Sequence, residues 1–141
     1  MPTQHFHITE LVQPEVLSEY GEAECWAMIP QHICDSLDKI REMYGKPISI
    51  NAGLNQHCGI RADNCTVGAA HSDHKIVNPN QARAFDLHCS DLPTLRKLIY
   101  DNSQILKVFR SENQLATPTW IHISYYLDPC KAVGALVIFN P

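Results

Sequence analysis

Residues 71–89 read HSDHKIVNPNQARAFDLHC, and the chain changes character half-way through them. The first part is polar and holds His71, Asp73 and His74, followed by Pro79 between two asparagines. From Ala82 onward the side chains alternate. Successive strand residues point to opposite faces. ARAFDLHC (82–89) therefore predicts a strand with Phe85 and Leu87 on one side and Ala84, Asp86 and His88 on the other. TWIHISYY (119–126) repeats the device, with Ile121, Ile123 and Tyr125 on one side and Trp120, His122 and Ser124 on the other. Each strand offers helices an apolar face and carries one potential metal ligand near the middle of its other face. Neighbouring placement of the two strands would bring Asp86 to His122, and His74 can fold back from the loop as a third ligand.

Upstream, PQHICDSLDKIREMY (30–44) puts Ile33, Leu37, Ile40 and Tyr44 on one helical stripe. Pro30 suits a first turn and Gly45 the position after the last. Ile8 to Tyr20 reads as a short amphipathic segment ending at Gly21, and PISINA (47–52) as a strand entering the core. Residues 53–81 are long and irregular, and a loop of that length inside a domain is commonly functional. DLPTLRKLIYDN (91–102) predicts a helix capped by Ser90 or Asp91, with Leu92, Leu95, Leu98 and Ile99 inward. ILKVFR, TWIHISYY and AVGALVIF predict three strands. Helices first and strands after, around one long loop, imply an α+β fold: a central, mainly antiparallel sheet with helices packed on one face. No repeat or linker interrupts the 141 residues, so 1–141 is expected to be a single domain.

A hydrophobic content of 45% with 18% charged residues is that of an ordinary globular protein. The net charge of −4 argues against general electrostatic attraction to nucleic acid or an anionic membrane. No apolar run approaches the roughly 18–20 residues that span a bilayer. The opening MPTQHFHITELVQPE has neither a basic n-region nor an apolar h-region, which predicts synthesis in the cytoplasm without a signal peptide. The six cysteines contain no CxxC, so free thiols are expected, with Cys58 and Cys65 the pair to test for a bridge.

Two imidazoles and one carboxylate are a common catalytic zinc set, because three protein ligands leave a fourth position for water. The cation lowers the pKa of that water and polarises a carbonyl. Imidazole and carboxylate suit zinc, and iron or manganese also accept them. Accidental proximity is the competing reading, since the chain has eight histidines and no HExxH.

Three short segments together resemble a known family. Ser72-Asp73-His74, Ala82-Arg83-Ala84-Phe85-Asp86 and Trp120-Ile121-His122 are similar to the S-x-H-x-x-G-x-A-x-D and distal W-x-H of the zinc D-Ala-D-Ala carboxypeptidase and L-Ala-D-Glu endopeptidase family. That family has the Hedgehog/DD-peptidase fold. LDKIREMYGKPISIN (37–51) looks like the helix and first strand of its phage-type members, and GIRADN (59–64) like their G-x-R-x-x-N loop. FRSE (109–112) resembles an R-x-E stretch that precedes their W-x-H. The resemblance covers residues 6–126. It implies His74, Asp86 and His122 as ligands of Zn2+, Arg61 as the cation that holds a substrate carboxylate, and Ser72 and Trp120 as substrate-binding neighbours. A guanidinium suits that task, because it grips a carboxylate through two parallel hydrogen bonds.

The chain departs from the family pattern in two places. The interval from His74 to Asp86 is longer than usual, through KIVNPNQ (75–81), in a loop where insertion is tolerated. The position three before His122, acidic in many members, is Thr119 here, and threonine cannot act as a base. A peptidase of this kind needs a group that takes a proton from water and returns it to the leaving amine. Glu112 is the expected replacement, and Asp73 is the other acidic candidate. His71 and His88 are expected to support the site or face solvent, and His5, His7, His32 and His57 have no expected role.

Two functions compete. The first is a zinc peptidase that hydrolyses an amide bond in peptidoglycan stem peptides through metal-activated water. It would be D-Ala-D-Ala carboxypeptidase-like or an endolysin-type endopeptidase, acting on the cell wall when released or carried by a virion. The second is a catalytically silent, metal-stabilised binding or virion structural module on the same fold, since metal binding adds to folding free energy. A disulfide-bonded secreted domain is a third.

Overall fold

A computed structural model describes residues 2–141. Along the chain it runs α1 (Ile8–Leu11), α2 (Pro14–Ala27), α3 (Gln31–Tyr44), β1 (Ala82–Leu87), α4 (Leu92–Asp101), α5 (Ser103–Leu106), β2 (Arg110–Glu112), β3 (Ile121–Tyr126) and β4 (Val137–Phe139). No described helix is long and apolar enough to cross a membrane.

The longest stripe in the sequence makes the clearest helix. In α3, Ile33, Leu37, Ile40 and Tyr44 are all buried, Pro30 is the N-cap, and Gly45 ends the helix at φ 75° with its N–H on the Arg41 carbonyl. Glycine meets that left-handed geometry without strain. Asp91 caps α4 by accepting from the Thr94 N–H and hydroxyl, at 3.3 and 2.6 Å. Such a cap is worth about 1 kcal/mol. Gly21 (φ 81°, ψ 167°) is a kink rather than an end: α2 resumes and reaches Ala27, because Cys25 beyond it is buried in the core.

The sheet is four-stranded and mixed, in the order β1-β3-β2-β4. β1 and β2 both pair antiparallel with β3, and β4 lies parallel to β2. The α+β class expected from the sequence is present, but the sheet is mixed, with β4 as a parallel edge. β4 follows β3 by a reversal that steps over β2, and strand patterning does not say which neighbour an incoming strand will choose. One sheet face supplies Phe85, Leu87, Ile121, Ile123 and Tyr125 to a core shared with Ile33, Leu37, Ile40, Leu95 and Ile99.

Two predicted strands are absent. PISINA forms only isolated bridges, Ser49 with His88 and Ala52 with Asn55. There the Asn51 side chain serves as the connector, donating to the Thr9 and Val12 carbonyls and accepting from the Cys58 N–H. In ILKVFR the first two residues belong to α5, Lys107 turns left-handed at φ 63°, and the strand begins at Arg110. Ile105 is exposed while Leu106, Val108 and Phe109 are buried, which is not a strand alternation.

Residues 53–81 hold no regular element. They are instead fixed by point contacts. Ile60 exchanges backbone bonds with Leu11 and Gln13. Beside it a Cβ at Gly59 would stand 2.1 Å from the Leu11 carbonyl oxygen, so only glycine permits the approach. Arg61 N–H donates to the His74 carbonyl at 2.7 Å, and the Asn78 amide ties Lys75 and Ala82 together. The six cysteines are free, and burial pushes the Cys34 and Cys58 thiols up to about 11.

Candidate metal centre

Strand register assembles the centre. Asp86 of β1 lies opposite His122 of β3, on the face turned away from the core. Arg110 pairs with Ser124, so the antiparallel register carries Glu112 to the level of His122. β4 adds Phe139 beside Glu112. One row across the four strands therefore reads Asp86, His122, Glu112, Phe139. His74 arrives from the loop, which the Arg61 and Gly59 contacts hold against β1.

His74 Nε2, Asp86 Oδ1 and His122 Nδ1 form a nearly equilateral triangle with sides of 3.1, 3.1 and 3.2 Å. All three residues are buried. Tautomers follow from the outer partners. His74 Nδ1 lies 2.8 Å from the Gly59 carbonyl, which only accepts, so the His74 proton sits there. Ser124 donates its one hydroxyl hydrogen to Asp73 Oδ2 at 2.8 Å. The Ser124 oxygen must then accept from His122 Nε2, also at 2.8 Å. In the neutral imidazoles, both nitrogens that face each other in the triangle are then bare lone pairs.

Burial holds His74 below its ordinary value against the pull of Asp86, which keeps the imidazole neutral. Burial alone would raise Asp86, but the interactions with His74 and His122 outweigh it and hold the carboxyl well below the usual carboxylate range. Three acceptors at 3.1–3.2 Å with no hydrogen between them repel, and a cation at their centre removes the conflict. Ligands at about 2.0–2.1 Å from a tetrahedral zinc are separated by about 3.3 Å, so the triangle fits a divalent ion of that size. These three are the only group of His, Cys, Asp or Glu among the described residues whose ligand atoms lie within 4.8 Å of one another.

The triangle opens into a cleft of about 670 Å³. Its walls include Arg61, Ser72, Arg110, Glu112, Thr119, Trp120 and Phe139. Glu112 Oε1 stands 3.5 Å from His122 Nδ1 and is partly exposed to the cleft. Asp73, the other acidic candidate, is 3% exposed and is engaged by Ser124, Asn80 and Arg110. Ser72 accepts from the His74 N–H at 3.2 Å, and the Trp120 carbonyl accepts from Arg96. His71 and His88 line the cleft, as does His57, to which the sequence assigned no role.

Arg61 is buried, with Nε on the His57 carbonyl, Nη1 on the Val67 carbonyl at 3.1 Å and Nη2 3.4 Å from Asp86 Oδ2. It pins the loop and the second oxygen of Asp86. The segment KIVNPNQ (75–81) supplies Asn78, which folds the loop onto β1, and Asn80, which donates to Asp73 at 3.0 Å. Ser124 was visible by alternation as a neighbour of His122 on the polar face. Phe139 had no such signal, since its position depends on which strand β4 joins.

Comparison with family models, curated proteins and solved structures finds no match for this chain. The likeness to the zinc peptidases rests on the motifs themselves.

Proposed function

We propose that this chain is a zinc-dependent peptidase that hydrolyses an amide bond in peptidoglycan stem peptides. The observation that carries the reading is the triangle of His74, Asp86 and His122 at the floor of a cleft, with a carboxylate beside it. Those three residues would hold the ion. When bound, a divalent cation supplies Lewis acidity, lowering the pKa of a water and polarising a carbonyl. Glu112 accepts the proton of the attacking water and delivers it to the leaving amine. Ser72 and Trp120 shape the walls beside the scissile bond.

A metal-stabilised, catalytically silent module is the second reading. The nearness of Glu112 favours it, because a fourth protein ligand would close the coordination sphere as in structural zinc sites. The geometry weighs against closure: Glu112 does not join the set of ligand atoms within 4.8 Å of one another. The test is Glu112→Gln. A peptidase loses about 10²–10⁴-fold in turnover of a stem-peptide substrate while keeping its zinc. Loss of stoichiometric zinc in this variant, or no release of new amino termini by the wild type, would favour the module.

A further inference from the structure

We propose that Arg110, rather than Arg61, receives a substrate carboxylate, and that it selects peptides carrying one close to the cleaved amide. The inference deepens the peptidase reading and rests on it for the nature of the ligand.

Arg61 is a poor receptor. It is 5% exposed, each of its three nitrogens already has a protein partner, and loop residues close over it. Gly68, at φ +79°, lies so near that a Cβ there would stand 2.6 Å from Nη1. A carboxylate would have to displace these existing partners to be held by this guanidinium.

Arg110 is arranged in the opposite way. It faces the cleft from β2, with its side chain 26% exposed. Its Cζ sits 3.6 Å over the Phe139 ring, which fixes the plane of the guanidinium. Asp73 Oδ2 lies 3.4 Å from Nε and holds the inner edge, yet that nitrogen has no hydrogen bond of good geometry. The two terminal nitrogens have no hydrogen-bond partner among the described residues. A planar fork that is oriented by stacking and charge, with its outer edge unfilled, is preorganised for a carboxylate.

Distance sets the register of the ligand. The Phe139 ring is 5.7 Å from that of His122 and 3.6 Å from the Arg110 Cζ. The fork therefore lies within roughly two to three extended residues of the metal ligands. A carboxylate at that spacing is either a free chain terminus or an acidic side chain, and Arg110 would accept both chemistries.

The test uses the full chain loaded with zinc, in the Glu112→Gln background so that turnover does not consume the probes. Four probes are titrated calorimetrically: D-Ala-D-Ala, its C-terminal amide, a terminally blocked peptide containing L-Ala-D-Glu, and its D-Gln counterpart. At least one acid should bind about ten- to a hundredfold tighter than its neutral partner, the range of a charge-assisted hydrogen bond. Preference for the dipeptide acid identifies a chain terminus, and preference for the blocked peptide identifies a side chain. Arg110→Gln should abolish the preference without changing zinc content, and Arg110→Lys should restore part of it. Equal binding of acid and neutral probes, no binding of any probe, or a preference that survives Arg110→Gln would overturn the proposal. The two readings fail separately. An Arg110-dependent preference, with no hydrolysis of any of these peptides by the wild-type chain, removes the peptidase and keeps the receptor. Hydrolysis of acid and neutral probes at one rate by the wild-type chain keeps the peptidase and removes the receptor.

Discussion

Ser124→Ala tests the proton assignment at the metal centre. Ser124 is fully buried, and its hydroxyl joins His122 Nε2 to Asp73 Oδ2 through two contacts of 2.8 Å. With the oxygen gone, the proton on His122 Nε2 has no acceptor. The other tautomer then competes, with the proton on Nδ1 and aimed at Asp86 Oδ1 only 3.1 Å away. That proton occupies the space the ion needs, so binding must break a hydrogen bond that the wild type never makes. Loss of such an outer hydrogen bond costs about 10–100-fold in metal affinity, or about 1.4–2.7 kcal/mol.

The assay is competition for zinc with a chelator of known affinity, together with thermal melts of metal-free and zinc-loaded protein. At fixed free zinc, the stabilisation that zinc adds should shrink by the same free energy. The metal-free variant should lose less stability than the loaded one, because its relocated proton still finds Asp86. A variant that binds zinc as tightly as the wild type would refute the tautomer assignment, and with it the claim that the triangle is built of bare lone pairs.

Acidification should destabilise the metal-free protein. His74 is held below its ordinary 6.5 in the fold, so the unfolded chain takes up that proton first and stability falls as pH drops below about 6.5. Asp86 is held below its ordinary 3.8, so a second loss follows as pH drops further. Urea melts of chelated protein on either side of pH 6.5 check the first step, and a flat or rising stability on the acid side would contradict it. Gly59→Ala forces a Cβ to 2.1 Å from one backbone oxygen and 2.5 Å from its carbon, so two backbone segments must part. That overpacking should cost about 1–3 kcal/mol. It should also weaken zinc binding, because Gly59 O orients His74. Gly134→Ala, with nothing within 4 Å, is the neutral control.

Alternation in two short strands was enough to place Asp86 and His122 on one face, because a period of two leaves no choice once a core face is chosen. The Asp86–His122 pairing in the observed register is the direct result. The helical stripe of α3 was equally legible, with its glycine stop. What escaped were contacts made by single atoms. Asn51 replaces a predicted strand by bonding three backbone groups, a choice that no propensity records. Arg61 looked like a receptor in the motif, yet its partners are carbonyls of His57 and Val67, whose positions depend on how the loop closes. Arg110 became the better receptor only once β4 put Phe139 beneath it.

The location of the acid follows from the same geometry. Thr119 precedes β3 and is exposed at the cleft wall, where an acidic side chain would approach the centre from the loop. Glu112 approaches from the neighbouring strand instead, at the level of His122, and ends 3.5 Å from its ligand nitrogen. Proton transfer requires a carboxylate within reach of the attacking water, and either route satisfies that requirement. The strand route has a structural consequence. Because β2 is held between β3 and β4, Glu112 keeps its distance from the triangle without a loop having to order, and the side of the centre facing the cleft stays open. On the proposed peptidase reading, a base fixed by a sheet register in this way would tie catalytic competence to the edge strand β4, so that loosening β4 would disturb Glu112, Phe139 and Arg110 together.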